Sequence, residues 1–208
     1  MKKHTRSFFS CLCLALVLSG LVLSEWTYAR NDFYATSYAR ESEGEYQQAI
    51  KAMLDNYDEN DYLINLRLGW LNYLNGFFTE SITYYQRALS LSPLSIEARL
   101  GIVLPLAGQG EWNKIATNYR EILKLDPHHY TANYRLAAIH YGREQYREAA
   151  AILSPLINHY PADYDTVLLS AWNELALGKK SNARLLFQRA LELSPEDASA
   201  LEGQELTR

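Results

Sequence analysis

Among the 208 residues, five histidines, 24 acids and two cysteines are the side chains that could hold a metal, move protons or attack a carbonyl. Their spacing argues against each use. His128 and His129 are adjacent, His159 lies in a later loop and His140 in a helical stretch, and no acid or thiol completes a zinc-ligand set with any of them. Asp55, Asp58, Glu59 and Asp61 crowd one segment, but it lacks the glycine and distal glutamate of a calcium loop, so it reads as a solvated connection. Glu41 and Glu43 read as surface acids. Cys11 and Cys13 fall inside an apolar run. Phosphate loops, nucleophile elbows and metalloprotease helix motifs do not occur. The sequence therefore predicts no catalytic residue, no cofactor, no metal and no enzyme.

Binding by large side chains is what remains. Leu63, Leu66, Trp70 and Tyr73 stand at i, i+3, i+7 and i+10, one stripe of a helix. The stripe returns as Leu100 and Leu104, Tyr134 and Tyr141, then Leu168 and Trp172, with Tyr34 and Tyr38 ahead of it. Tryptophan and tyrosine anchor partners because they offer rigid area with a polar tip. Such aromatics also pack against neighbouring helices, so each single residue has a core reading beside its binding one. For the stripe as a whole, binding is the expectation, since an exposed apolar patch usually has a use.

A repeat must position these residues. Pro93, Pro127, Pro161 and Pro195 keep a 34-residue step, as do Phe78, Trp112 and Tyr146; Tyr85, Tyr119, Leu153 and Phe187; Gly69, Val103, Ala137 and Ala171; and Ser81, Ile115, Ala149 and Ala183. Within residues 62–95, Ile64, Leu68 and Leu71 form one helical stripe, Gly76 supplies a turn, and Ile82, Tyr85, Ala88 and Leu89 form a second. Gly69 and Ser81 are small enough for the two helices to approach closely. Ser92-Pro93 is expected to end the pair, with the serine able to cap the next helix. The units read as 62–95, 96–129, 130–163 and 164–197, after an irregular first unit at 30–61 whose Gly44, Tyr46 and Ala49 precede Gly76, Phe78 and Ser81 by 32 residues. Pro105 and Pro155 fall inside helices and predict kinks rather than breaks, with Gly101 giving room to the first. Residues 198–208 read as a capping helix begun by Ser194, with Leu201 as its main apolar contact, or as a frayed tail.

The stretch LGWLNYLNGFFTESITYYQRALSLSP resembles a tetratricopeptide repeat in its Leu68-Gly69, Gly76, Phe78, Tyr85, Ala88 and Pro93, while Asn65, Asn72 and Ser81 depart from that pattern. The resemblance implies an all-α fold, a right-handed α-solenoid of about five helical hairpins plus a C-terminal capping helix, and a binding scaffold whose partners vary. Members that hold a chaperone's C-terminal carboxylate use lysines and asparagines on the inner face. Here Leu66, Trp70, Leu100, Leu104, Tyr134 and Ala138 stand at the matching places, which argues against such a clamp and for an extended or helical apolar segment.

The first residues are another kind of polymer. Lys2, Lys3 and Arg6 precede an apolar run over residues 8–23, and Thr27-Tyr28-Ala29 offers a signal-peptidase site. The short run and the site after it favour cleavage after Ala29 and export to a periplasm or the exterior. Left uncleaved, residues 8–23 would tether the chain to the inner membrane. Residues 1–29 hold both cysteines, three of the 20 Lys and Arg and one of the 24 acids, so their loss removes thiol chemistry and takes the net charge from −4 to −6. That balance excludes nucleic acid as a natural partner. The expected function is an exported scaffold or adaptor that binds a peptide or protein and supports assembly of an envelope complex; the alternative is a polysaccharide-binding protein of an export pathway.

Overall fold

The structure, a computed structural model, describes residues 32–208; the expected leader, its cleavage site and the apolar run lie outside the described residues. Every described element is a helix. The chain divides into two compact units, one ending at Pro93 and one beginning at Leu94. In the first, α1 runs through residues 32–42, followed by α2 (Tyr46–Leu54), α3 (Tyr62–Leu74) and α4 (Phe78–Leu91). The second holds α5 (Ile96–Gly108), α6 (Trp112–Leu125), α7 (Tyr130–Gly142), α8 (Tyr146–His159), α9 (Tyr164–Ala176), α10 (Lys180–Leu193) and α11 (Ala198–Leu206). Within each unit consecutive helices pack as hairpins, the all-α hairpin architecture expected from the repeat.

Two columns of turn residues shape these hairpins. Gly44, Gly76, Gly110 and Gly178 take positive φ of 71° to 78° between the two helices of a hairpin, the conformation that a glycine adopts without strain. At the fourth hairpin Glu144 takes it instead, at φ 60°. In each turn the next N–H reaches back to a carbonyl of the preceding helix, as from Phe77 to Asn72 at 2.8 Å and from Gln145 to His140 at 2.9 Å, and this satisfies the helix end. The other column caps α3, α5, α7, α9 and α11. Asp61, Ser95, His129, Asp163 and Asp197 keep the 34-residue step, and each accepts from the N–H three residues on, at 2.8 to 3.3 Å. The expected serine caps are therefore corrected: Ser92 and Ser194 end α4 and α10, and the caps lie three residues later.

The remaining columns are core. Tyr85, Tyr119, Leu153 and Phe187 are buried, as are Ser81, Ile115, Ala149 and Ala183, one turn earlier on the same helices. Gly69 is needed for close approach, because a Cβ there would lie 2.9 Å from the Tyr85 ring, and Ser81 Oγ donates to the Gly69 carbonyl at 2.6 Å. Both prolines lie inside unbroken helices, Pro105 in α5 and Pro155 in α8. The loop at residues 55–61 is exposed as far as Asn60, a solvated connection as expected, and is tied down at Glu59: Arg87 Nη1 pairs with it at 2.5 Å, and Asn65 Nδ2 donates to its carbonyl at 3.0 Å. In α11 the buried contacts are Ala200 and Gly203, while Leu201 is 45% exposed, contrary to its expected role. Gly203 lies so close to the Phe187 ring that only a missing side chain fits.

Candidate functional site

In the first unit, the junction of α1 and α3 is closed by polar side chains. Arg67 is only 7% exposed; its Nη1 pairs with Glu41 and its Nε donates to Ser37 Oγ at 3.2 Å. Glu41 also accepts from Trp70 Nε1 at 2.6 Å, and the Tyr38 ring covers the guanidinium at 3.8 Å. Tyr73 packs beside Trp70 with ring centroids 5.7 Å apart. The junction is thus filled by one carboxylate, one guanidinium and one indole, all from the chain itself. Tyr34 and Trp70 also rest on the core of Ala49, Met53, Ile64, Leu68 and Leu71. Leu66 is half-buried and Leu63 exposed.

The same register in the second unit gives a different result. Counted back from the positive-φ residue of each turn, Arg67 and Arg135 both stand nine residues before it. Ser37 and Glu41 correspond to Val103 and Ala107, Tyr38 to Leu104, and Trp70 to Ala138. At the junction of α5 and α7, the carboxylate and the indole are therefore each replaced by alanine. A cavity of about 1040 Å³ lies there, lined by Leu100, Leu104, Ala107, Ala138 and Ile139 and by Arg135 and Arg143, with Ile115 and Tyr119 of α6 below. At its edge Trp112 is 53% exposed, whereas Phe78 and Tyr146 of the same column are half-buried. The next junction, between α7 and α9, is filled again, by Tyr141 and Leu169 on the Ala137 core.

Of the residues in the expected groove, Leu100 and Leu104 line this cavity, and Tyr38, Trp70 and Tyr73 meet in the first unit. Tyr134 stacks on Tyr130 at 6.0 Å, and Tyr141 meets Tyr146 edge-on at 5.5 Å. Leu168 and Trp172 pack near Phe187, and Trp172 Nε1 donates to Ser199 of α11 at 2.9 Å. Arg67, Arg135 and Trp112 stand outside the stripe that helical spacing predicts. Their signal is that Arg67, Gly101, Arg135 and Leu169 form a column that does not keep one residue type, the reverse of the columns that reveal the repeat. His128 and His159 lie with ring centroids 5.0 Å apart, but no group of three metal-ligating side chains occurs among the described residues.

Arg135 forms no ion pair or hydrogen bond with any described residue, and its guanidinium lies 5.7 Å from the Tyr134 ring. Arg143 donates to Asn113 Oδ1 at 2.9 Å. Glu111, the acid at the cavity, is tied to Lys114 at 3.2 Å. Burial pushes the Tyr119 phenol up, and the field of Arg135 pulls it the other way. The cavity is thus an apolar recess with two solvent-exposed guanidinium groups, those of Arg135 and Arg143, at its wall. Elsewhere in the unit, burial and then the bond to Asp163 at 2.5 Å push Tyr130 up to about 12. Burial alone would raise the Asp163 carboxyl, but its bonds to Thr166 and Tyr130 outweigh that and lower it. Tyr164 is raised to about 12 by burial first and then by nearby Asp197, although its hydroxyl closes no hydrogen bond of good geometry.

Two family models, each described as tetratricopeptide repeat, match residues 34–96 and 106–169, together more than half of the chain. The chain belongs to the tetratricopeptide repeat family, whose repeats serve as scaffolds for protein–protein interaction. Among solved structures it is similar to a tetratricopeptide repeat protein from Parabacteroides merdae, with a TM-score of 0.75 and 19% identity over 86% of this chain and 72% of that one. It is also similar to MamA protein, with a TM-score of 0.71 and 17% identity over 82% of this chain and 94% of that one. A MamA fragment from Desulfovibrio magneticus RS-1 gives a TM-score of 0.65 at 20% identity, covering 73% and 84%. At these identities the likeness is one of fold. No curated protein matches the chain.

Proposed function

We propose that the chain is an exported, non-enzymatic adaptor that holds a segment of a partner protein in the cavity between α5 and α7, and so helps assemble an envelope complex. The observation that carries this reading is the unfilled junction itself. The repeat closes the corresponding places at α1/α3 and α7/α9 with the chain's own side chains and leaves this one open beside an exposed Trp112. A recess with an apolar floor and a few polar groups is the usual form of a site for another molecule's side chains. Export rests on the basic, apolar and small-residue order of residues 2–29.

Site-specific photocrosslinking tests it. A benzophenone side chain at Trp112, in cells making the full chain, is expected to give one dominant protein adduct, which Leu104→Glu abolishes while the helical circular dichroism stays unchanged. The same probe at Leu185, 66% exposed on α10, is expected to give none. Equal adducts at both positions, or an adduct at Trp112 indifferent to Leu104→Glu, would show that the cavity is not where the partner binds.

A further inference from the structure

Resting on that reading, we infer that the occupant of the cavity presents a carboxylate to Arg135 and a bulky apolar side chain, aromatic above all, to the space over Ala138. The chain supplies its own template. At α1/α3 the position equivalent to Arg135 is Arg67, and its guanidinium is met by the Glu41 carboxylate, which Trp70 Nε1 also contacts at 2.6 Å. At α5/α7 the cation is kept, but the carboxylate position is Ala107 and the indole position is Ala138, and both alanines line the cavity. What is missing relative to the first junction is therefore one anionic group and one large flat one.

Charge makes the same selection. The lining cations are Arg135 and Arg143, and the lining acid Glu111 is held by Lys114. An anion entering the recess would meet guanidinium groups beside an apolar floor, where a charge-assisted bond is stronger than on an open surface. A neutral sugar would gain nothing from the charge of Arg135, which is exposed where Arg67 is buried, and a cationic segment would be repelled. A peptide segment with Asp or Glu next to Trp, Phe or Leu fits both requirements. Such a segment differs from a terminal-carboxylate ligand because the apolar side chain must enter beside the acid.

The test begins with a random 12-residue peptide library displayed on phage and selected on the full chain. Affinities of the recovered peptides are then measured by fluorescence anisotropy. The expected peptides carry an acid beside an aromatic or large aliphatic residue. Changing that acid to its amide weakens binding about tenfold or more, and Arg135→Gln weakens it as much, with no further loss when the two changes are combined. Ala107→Glu, which offers Arg135 an internal carboxylate as Glu41 does for Arg67, is expected to weaken binding by at least that factor, and Ala107→Gln to do much less. If recovered peptides are sensitive to Leu104→Glu but indifferent to the acid-to-amide change, or if the losses from Arg135→Gln and the amide simply add, the acid inference fails while the cavity stands. If no recovered peptide responds to Leu104→Glu, the cavity reading itself fails.

Discussion

Glu41→Gln is the sharpest perturbation of the template junction. It keeps the size of the side chain and an oxygen for Trp70 Nε1, and it removes only the charge that faces Arg67. Arg67 is 7% exposed and Glu41 21%, and a second guanidinium nitrogen of Arg67, Nη2, is buried with no partner. Taking one member from a buried ion pair costs about 3–5 kcal/mol, because the other charge is left desolvated. The partial exposure of Glu41 places this pair at or below the low end of that range, about 2–3 kcal/mol. Urea unfolding followed by circular dichroism and tryptophan fluorescence would read it, since Trp70 reports on the first unit directly. Replacing both partners with apolar residues, Glu41→Leu with Arg67→Met, is expected to recover most of the loss, as neither charge is then buried alone. If Glu41→Gln unfolds within about 0.5 kcal/mol of the parent, a surface-type result, Arg67 is solvated and this junction is no guide to Arg135.

Three further outcomes follow from the packing and the titrating groups. Gly203→Ala forces a methyl against the buried Phe187 ring, well inside van der Waals contact; overpacking of about 1–3 kcal/mol, set against about 1 kcal/mol of helix propensity, should release α11. Hydrogen exchange would show lost protection at residues 198–206 and a red shift of Trp172 fluorescence, and unchanged protection there would refute the contact. Glu144→Gly removes a non-glycine residue from φ 60° and is expected to raise stability by about 0.5–1 kcal/mol, measured as a higher melting temperature. Tyr130 and Tyr164, each raised to about 12, contribute stability that is fully present below pH 10 and is lost between about pH 10 and 12. Tyr130→Phe with Tyr164→Phe should flatten the alkaline decline in melting temperature across that window, and an unaltered decline would show that other groups drive it.

The hairpins are legible because turns and cores need particular residues. A positive-φ turn selects glycine at 76, 110 and 178, and a tight helix crossing selects Gly69 opposite Tyr85. The capping column is harder to see, since Asp61, Ser95, His129, Asp163 and Asp197 share a function rather than a residue type, and the serines beside the prolines draw the cap assignment three residues early. Leu201 fails as the contact of α11 because close approach to Phe187 is made by small residues, which carry no hydropathy signal. The cavity is half legible. Leu100 and Leu104 belong to an apolar stripe that helical spacing reveals, whereas Ala107, Arg135 and Ala138 matter because their surroundings differ from those of Glu41, Arg67 and Trp70 at corresponding places. A repeat announces its fold through the columns it keeps and its site through the columns it changes.

Hydrogen exchange of the full chain, with and without a selected peptide, decides whether α5 and α7 hold the ligand. Slowed exchange is expected in residues 100–107 and 131–143, around the junction of these two helices, with residues 34–73 and 180–193 unaltered. Protection centred on residues 34–73, or on α10, with no change at α5 and α7, would put the ligand elsewhere and refute the cavity as its site.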